Sequence, residues 1–494
     1  MDVMQKSIVH RAHELKLLAM AAMAIATCLP LSGCVHMAGI APQAKPIAAQ
    51  QLDAGKNIAS AAVMEWPKED WWQAYQDPQL NALVAQALAD SPTLRMAQAR
   101  VRLSASYAQS AHAETLPNAS IDASVTRERF TALQFIPPPW GGNTEWNNLA
   151  TASLAYDLDL WGRQESLWHA ALDETRATAA EAQQVRLGLT TAIVRSYVQL
   201  AMEHTLRDIA EQQRHEVQER ISITRRSLTA GLGTQMEVLE AETALPLANA
   251  EIEAIDARIR LLHNQLAALT AQGPGGGDGI TRPALTLEAA IGLPDQLPAN
   301  LIGRRPDVLA HRWRVEAAQQ NIEGAKAAFY PNINLLAFVG FQALGFGQLI
   351  SSSAGIAGVG PAVSLPMFDG GRRRGNLSAK TASYDIAVEN YNEVVVRALQ
   401  DVSDQLVVLQ SNSRQSIHAE QALTTAIKAH DMANASYRAG LSNFLHVLHT
   451  HEVVLQQQGN IAHLQAVRLD AYAGLMRALG GGLIDPTATA TEKP

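Results

Sequence analysis

The chain has 494 residues, 47% of them apolar, with a formal net charge of −8 and a pI near 6.0. That is material for roughly two to four domains. The acidic balance, with no basic stripe, excludes a sequence-independent nucleic-acid partner, because neutralising phosphates takes clustered Lys and Arg.

The amino terminus reads as a targeting segment. Lys6, Arg11 and Lys16 form a basic region, and Leu17 to Leu29 is an apolar run of 13 residues, too short for a bilayer span of ~20. It ends in Leu31-Ser32-Gly33-Cys34, which looks like a bacterial lipobox. The expectation is a signal segment over 1–33 and a lipidated Cys34; the alternative is an ordinary signal peptide with a chance cysteine. No other stretch approaches 18 continuous apolar residues, so a membrane crossing would have to be made by strands.

From Ala41 to about Met64 the chain is weakly patterned, as suits a tether. Trp66, Trp71, Trp72 and Tyr75 follow. Asp77-Pro78 opens an amphipathic helix through Leu80, Leu83, Val84, Ala87 and Leu88, and Ser91-Pro92 opens another up to Leu116.

A repeat then organises the chain. Residues 91–118 align with 305–332 at an offset of 214, so that Arg100-Val101 falls on Arg314-Val315. Leu158-Asp159-Leu160-Trp161 matches Leu365-Pro366-Met367-Phe368 at an offset of 207, and Ala230-Gly231-Leu232 lands on Ala439-Gly440-Leu441 at 209. Each copy reads as a helix, two strands, a very long helix, a Gly-bearing turn and a return helix.

The long helices are predicted over Arg163 to Thr229 and Arg372 to Ala439, each roughly 100 Å at ~1.5 Å per residue. In the second, Val388, Tyr391, Val395, Ala398, Val402, Leu406 and Leu409 form a lengthwise seam. Ala387, Val394 and Val408 form a second seam, broken by Asp401. Two seams imply neighbours on both sides, as in a ring or sheet of helices; a two-stranded coiled coil with surface valines is the alternative.

Four strands are predicted from period-two alternation. They are Ala150 to Leu160, Ser120 to Thr126, Ile333 to Phe341 with less clean alternation, and a weak run near Val359 to Met367. Thirteen of the 25 aromatic residues lie in 117–168 and 329–368. Such clustering suits the interfacial girdles of a membrane barrel, among them Phe130, Phe135, Trp140, Trp146, Tyr156, Trp161, Phe329, Tyr330, Phe341 and Phe368; a small soluble β-domain would also use them. Four strands cannot close a barrel, so membrane insertion would force a homo-oligomer.

Trp71-Trp72, Asp77-Pro78, Arg304-Arg305-Pro306-Asp307, Phe329-Tyr330-Pro331 and Leu365-Pro366-Met367-Phe368-Asp369-Gly370-Gly371-Arg372-Arg373 together resemble the TolC-like outer-membrane efflux proteins, in their NodT-type lipoprotein branch. The likeness covers essentially the whole mature chain. It implies a mainly α protein with a membrane β-barrel portion: a homotrimer whose 12-stranded barrel, four strands per chain, continues into a long periplasmic α-helical barrel. It also implies an acylated Cys34 in outer-membrane lipid, a periplasmic adaptor protein as partner, and an inner-membrane pump of the RND or major-facilitator class. The expected layout is signal 1–33, tether and equatorial segment 34–90, first repeat 91–272, equatorial linker 273–304, second repeat 305–480 and tail 481–494. The function implied is passive export of drugs or other small toxic compounds.

The sites follow from that layout. Gly231, Gly233 and Gly440 are expected to supply the φ > 0 freedom that reverses a helix, and the tips Ala230, Gly231, Leu232, Ala439, Gly440 and Leu441 are where the resemblance places adaptor contact. Asp431, near one tip, would form an acidic ring in a trimer, a possible gate; a solvated Asp is the bland alternative. His446, His449 and His451 read as scattered surface histidines, with no metal expected. Gly273-Pro274-Gly275-Gly276-Gly277 lacks the ending of a phosphate loop. Arg372-Arg373-Arg374 is placed where barrel meets helices. No catalytic constellation or cofactor motif stands out, which leaves a lipid-anchored periplasmic scaffold as the alternative class, and a lipoprotein enzyme as a remote one.

Overall fold

The computed structural model describes residues 37–48, 52–53, 65–133, 136–287 and 303–483. The signal segment, Cys34, Phe135, residues 288–302 of the linker and residues 484–494 lie outside the described residues. The helices are α1 (Pro78–Asp90), α2 (Pro92–Ala113), α3 (Arg163–Thr229), α4 (Gln235–Leu269), α5 (Pro306–Ala327), α6 (Arg372–Arg438) and α7 (Phe444–Ala478). The strands are β1 (Asn118–Arg129), β2 (Thr144–Asp157), β3 (Asn332–Leu344) and β4 (Gly355–Ser364).

The duplication is visible in the lengths. α2 and α5 each have 22 residues, α3 and α6 each 67, and α4 and α7 each 35. Packing sorts the chain into two compact units. One takes Leu103–Thr175 and Trp313–Glu389 with the amino-terminal segment to Lys45; the other takes Pro46–Arg102, Arg176–Arg312 and Asn390–Pro494.

The first unit holds a single antiparallel sheet in the order β1-β2-β3-β4. Its central pairing joins the two repeats, with Ala152 opposite Val339 and Leu154 opposite Ala337. A small core of Ile322, Ala325, Phe329 and Leu377 gathers Met37, Ile40 and Tyr384 around it. The predicted tether is tied down here. The backbone N–H groups of Gln43 and Ala44 both donate to Asp385 Oδ1 at 2.9 Å.

Both long helices begin with an aspartate in that unit. Asp159, at φ +39°, takes the N–H groups of Arg163 at 2.6 Å and Glu165 at 2.9 Å. Asp369 takes those of Gly371 at 3.1 Å and Arg373 at 3.2 Å. These caps satisfy donors that a helix start leaves open, and they explain two misplaced strand ends. β2 stops at Asp157 rather than Leu160, and β4 covers 355–364, so that Leu365 to Met367 lie beyond it. In both repeats the matched Leu-containing motif is the turn into the helix.

The second unit buries the tryptophan motif. Trp71, Trp72, Tyr75, Leu80 and Val84 are buried in this unit, as are Ile193, Tyr197, Leu200, Leu475, Met476 and Leu479, and the Tyr75 ring meets that of Tyr472 edge-on at 5.7 Å. Asp77 caps α1 through Gln79 N–H at 2.8 Å, and its other oxygen accepts from Tyr197 Oη at 3.0 Å and Ala284 N–H at 2.9 Å. So the Asp-Pro start of α1 also fixes the 281–286 segment, whose Thr286 N–H reaches Tyr75 O at 3.0 Å.

The first seam of α6 is buried along its length, from Val388 at 0% exposure to Leu409 at 7%. The second seam is partly open: Ala387 and Val394 are half-buried, and Val408 is exposed, as are Val396 and Val407. Asp401, which interrupts that seam, has a partner that sequence reasoning missed. Arg305 Nη1 donates to Asp401 Oδ2 at 2.9 Å and Arg305 Nη2 to Asp307 Oδ2 at 2.6 Å. The guanidinium also faces the carbonyls of Ala398 at 3.5 Å and Ala478 at 3.3 Å. Buried at the start of α5, it ties that start to α6 and to the end of α7.

Candidate functional site

The sheet has two unlike faces. Register places Ile121, Ala152, Val339 and Ala357 in one cross-strand row, and Ala119, Leu154, Ala337 and Val359 in another on the same face. Ile121 is 85% exposed, Val339 62% and Val359 89%. On the opposite face Asp122 pairs with Thr151 and Ser120 with Ser153. Apolar residues bared in rows, backed by a polar face, are what a strand between lipid and a wet lumen requires.

The β3–β4 side is less regular, because its second face carries Leu336, Phe338 and Ile356 among glycines. Phe338 lies against Gly358, where a Cβ would sit 2.6 Å from the ring. The ring replaces the side chain that the alternation lacks.

The proposed girdle residues separate into two groups. Trp140 lies in the β1–β2 connection and Trp146 near the loop end of β2, where its ring is 5.5 Å from Phe346. Tyr156 and Trp161 lie at the other end of β2, with Trp161 stacked on Tyr330 at 4.6 Å and its Nε1–H donating to Pro331 O at 2.8 Å. Phe368, 91% exposed, follows β4. Trp146 and Tyr156 are ten residues apart, about 33 Å along a strand and about 25 Å once tilted by ~40°. That matches the apolar band of a membrane barrel. Of the arginine triplet, Arg373 holds Asp369 at 2.7 Å and lies over the Phe329 ring, while Arg374 donates to Ala38 O at 3.3 Å.

At the far ends of the long helices the two turns are built alike. Gly231 has φ +75° and Gly440 φ +70°. Leu232 N–H reaches back to Ser227 O and Leu441 N–H to Ser436 O, both at 2.9 Å, the six-to-one bond of a glycine-ended helix. Gly233 does not have positive φ, contrary to expectation; it is confined by the Glu237 carboxylate, 3.0 Å from where a Cβ would lie. That carboxylate belongs to a capping box with Thr234, whereas α7 starts on Asn443 alone. Leu232 and Leu441 are 84% and 81% exposed, and Ala230, Ala439 and Asp431 are exposed beside them.

Between the turns and the second unit's core, the two helical hairpins are fastened differently. α3 and α4 are joined by Arg207–Asp256 at 2.6 Å, Glu203–Arg258 at 3.0 Å and Arg225–Glu242 at 2.6 Å. At the repeat offset of 209 these positions become Ser416 and Gln465, Asn412 and Val467, and Asn434 and His451. α6 and α7 are instead joined by Asn412 Nδ2 donating to Leu464 O at 2.9 Å and by His430 Nδ1 against Thr450 Oγ1 at 3.3 Å.

Of the three histidines singled out in the sequence, His451 is the one drawn into a cluster. Its ring lies 4.7 Å from that of His430, and its Nδ1 meets Glu216 of α3. Sequence spacing could not show this, because the partners come from three helices. Among the described residues, no group of three or more His, Cys, Asp or Glu is placed to hold a metal, and no helix is long and apolar enough to cross a membrane.

A four-stranded sheet with an apolar and a polar face, whose strands are followed in each repeat by paired helices of 67 and 35 residues, is the composition of one class: outer-membrane channels with a helical tunnel. The profile of the outer membrane efflux protein family matches residues 83–272 and 297–481, one stretch for each repeat, and the chain belongs to that family. It is 42% identical over 373 residues to the fusaric acid resistance protein FusA of Burkholderia cepacia, covering 74% of this chain and 69% of that one. It is 29% identical to the multidrug resistance outer membrane protein MdtQ of Escherichia coli O157:H7, over 92% of this chain and 97% of that one. Among solved structures, the outer membrane protein VceC of Vibrio cholerae superposes with a TM-score of 0.78 at 33% identity, over 84% of this chain and all of that one. The protein is an outer-membrane efflux channel, extending into the periplasm, and its family is one of transport proteins.

Proposed function

We propose that three copies of this chain form one exit duct, anchored by acylated Cys34, which passes small toxic organic compounds outward without chemistry at the duct itself. The observation that carries this reading is the sheet: four strands with an apolar and a polar face, and end strands β1 and β4 that need partners. Edges are not tolerated in lipid, and three such sheets give twelve strands, enough to close a barrel. The half-open second seam of α6 gives each helical unit a neighbour along the same ring. In this layout 91–272 and 305–480 are the two repeats, 34–90 with 273–304 the equatorial girdle, and 481–494 a tail.

The tips at Ala230 to Leu232 and Ala439 to Leu441 dock a periplasmic adaptor, which couples the duct to an inner-membrane pump of the RND or major-facilitator class. Two leucines bared on matching turns support that reading, since an apolar side chain held in water gains by docking. Asp431, exposed close to one tip, forms the acidic ring of the closed mouth. Trp140, Trp146, Tyr156, Trp161 and Phe368 form the interfacial girdles.

Conductance of the purified protein in planar bilayers tests the duct. Discrete channels are expected, and Asp431→Ala raises conductance and weakens block by divalent cations; a protein with no channel activity would overturn the reading. Leu232→Asp combined with Leu441→Asp is expected to abolish adaptor capture while conductance is retained.

A further inference from the structure

The loop end of the β1–β2 pair carries four charged side chains, Arg127, Glu128, Arg129 and Glu145, and the register sorts them by sign. Arg127 and Arg129 fall on the apolar face, in line with Ile121 and Val125. Glu128 falls on the polar face, directly opposite Glu145, and accepts from Asn147 Nδ2 at 2.8 Å. Each face therefore keeps like charges together, an arrangement that costs stability. Exchanging residues 127 and 128 would have set an arginine opposite Glu145 instead.

The two guanidiniums are positioned without being neutralised. Arg127 lies over the ring of its cross-strand partner Trp146, 5.6 Å from the centroid. Arg129 donates through Nε to Gly142 O at 3.3 Å, a bond that leaves its Nη groups uncommitted. Both side chains are exposed, and among the described residues neither forms an ion pair. Residues 332–364, which hold β3, β4 and their connection, contain no charged side chain. In the barrel proposed above, the β4 that a neighbouring copy sets beside β1 thus brings these arginines no carboxylate.

Their height on the sheet indicates what they meet. Arg127 is level with Trp146 of the outer girdle, and Arg129 stands two residues further out, about 7 Å along the strand. At the other end of this face stand Ala119, Tyr156, Ile333 and Val363, all uncharged. A cation on the lipid face is costly at the bilayer midplane and costs little at the interface. Just outside an aromatic girdle lie the lipid headgroups, and a guanidinium matches a phosphate with two parallel N–H···O bonds.

We propose that Arg127 and Arg129 bind phosphate groups of the lipid that forms the outer leaflet, one site per chain on the outside of the barrel. The site fixes the height of the barrel in that leaflet, and it rests on the barrel reading given above.

Affinity of the full-length, detergent-solubilised protein for diphosphorylated lipid A tests the site. Arg127→Gln/Arg129→Gln is expected to weaken binding more than tenfold, at about fivefold for each arginine near a charged membrane surface. Glu128→Gln/Glu145→Gln, on the other face, should not weaken it. The wild type alone gives a second comparison that needs no variant to fold: the dephosphorylated lipid should bind more than tenfold more weakly than the diphosphorylated one. Equal binding of the two lipids, or equal affinity in wild type and arginine variant, overturns the proposal. Displacement of the lipid by inorganic phosphate would mark a free-ion site and overturn the lipid as occupant. Planar-bilayer conductance separates this site from the reading beneath it. Normal channels with lipid binding indifferent to the arginines overturn the site alone, whereas a wild type without channels overturns the barrel.

Discussion

The two helical hairpins have the same lengths and the same turn geometry, yet opposite fastenings. α3 and α4 carry three ion pairs along their contact, and the equivalent positions on α6 and α7 carry Ser, Gln, Asn, Val and His. At their bases the fastenings differ again. Arg305 ties α6 and α7 to the start of α5, while the matching position of the first repeat is Ser91, whose Oγ accepts from Leu94 N–H at 3.4 Å, and α3 is held there through Tyr197 on Asp77. The second hairpin is therefore fixed at its base and lightly held towards its tip. Duplication supplied two copies of one skeleton, and divergence fastened them with different chemistry.

The largest expected effect tests the base. Arg305→Ala leaves Asp307 and Asp401 without their guanidinium; Asp401, 55% exposed, can turn to water, so the loss is expected towards the lower end of the range, about 3–5 kcal/mol, that breaking a buried ion pair costs, while the Ser91→Ala change, a weak cap, costs ~1 kcal/mol or less. Chemical denaturation should separate the two variants clearly, and similar losses would erase the asymmetry. The Arg305 contribution is also pH-dependent. Burial pushes the Asp307 carboxyl up, but the hydrogen bonds and charge of Arg305 outweigh it and hold the group below its usual range. The resulting stability is present above the unfolded carboxylate value and is lost as pH falls below ~3.9.

A smaller effect tests the fastenings. Ser416→Arg with Gln465→Asp transplants the Arg207–Asp256 pair into the second hairpin, and an exposed pair of this kind is worth roughly 0.2–1 kcal/mol. Mean conductance should fall while the melting temperature barely moves. The reciprocal exchange, Arg207→Ser with Asp256→Gln, should leave conductance unchanged. Equal responses to the two exchanges would show that both hairpins move.

Much of this was legible in the sequence, for reasons that can be located. The long helices have no proline and clear start residues, so their ends at Arg163, Thr229 and Arg372 were readable within a residue. β1 and β2 alternate strictly and were recognisable. β4 was misplaced because Gly355, Gly358, Gly360 and Pro361 carry no alternation, while Leu365 and Met367 mimic it just beyond. The Arg305 hub and the His430–His451–Glu216 cluster were not readable, because each is assembled from three segments far apart in the chain. The near miss was Asp401, which looked like a flaw in a seam and is an anchor.

The pairing of β2 with β3 also orders the protein's construction. These strands lie in different repeats, with the whole of α3 and α4 between them. Contacts so distant in sequence form late, because a long loop must close before they are rewarded. Until the second repeat has been delivered, β2 lacks the strand that pairs with its second edge. An unpaired strand edge is a template for mispairing, so the sheet is closed against it only once both repeats are present.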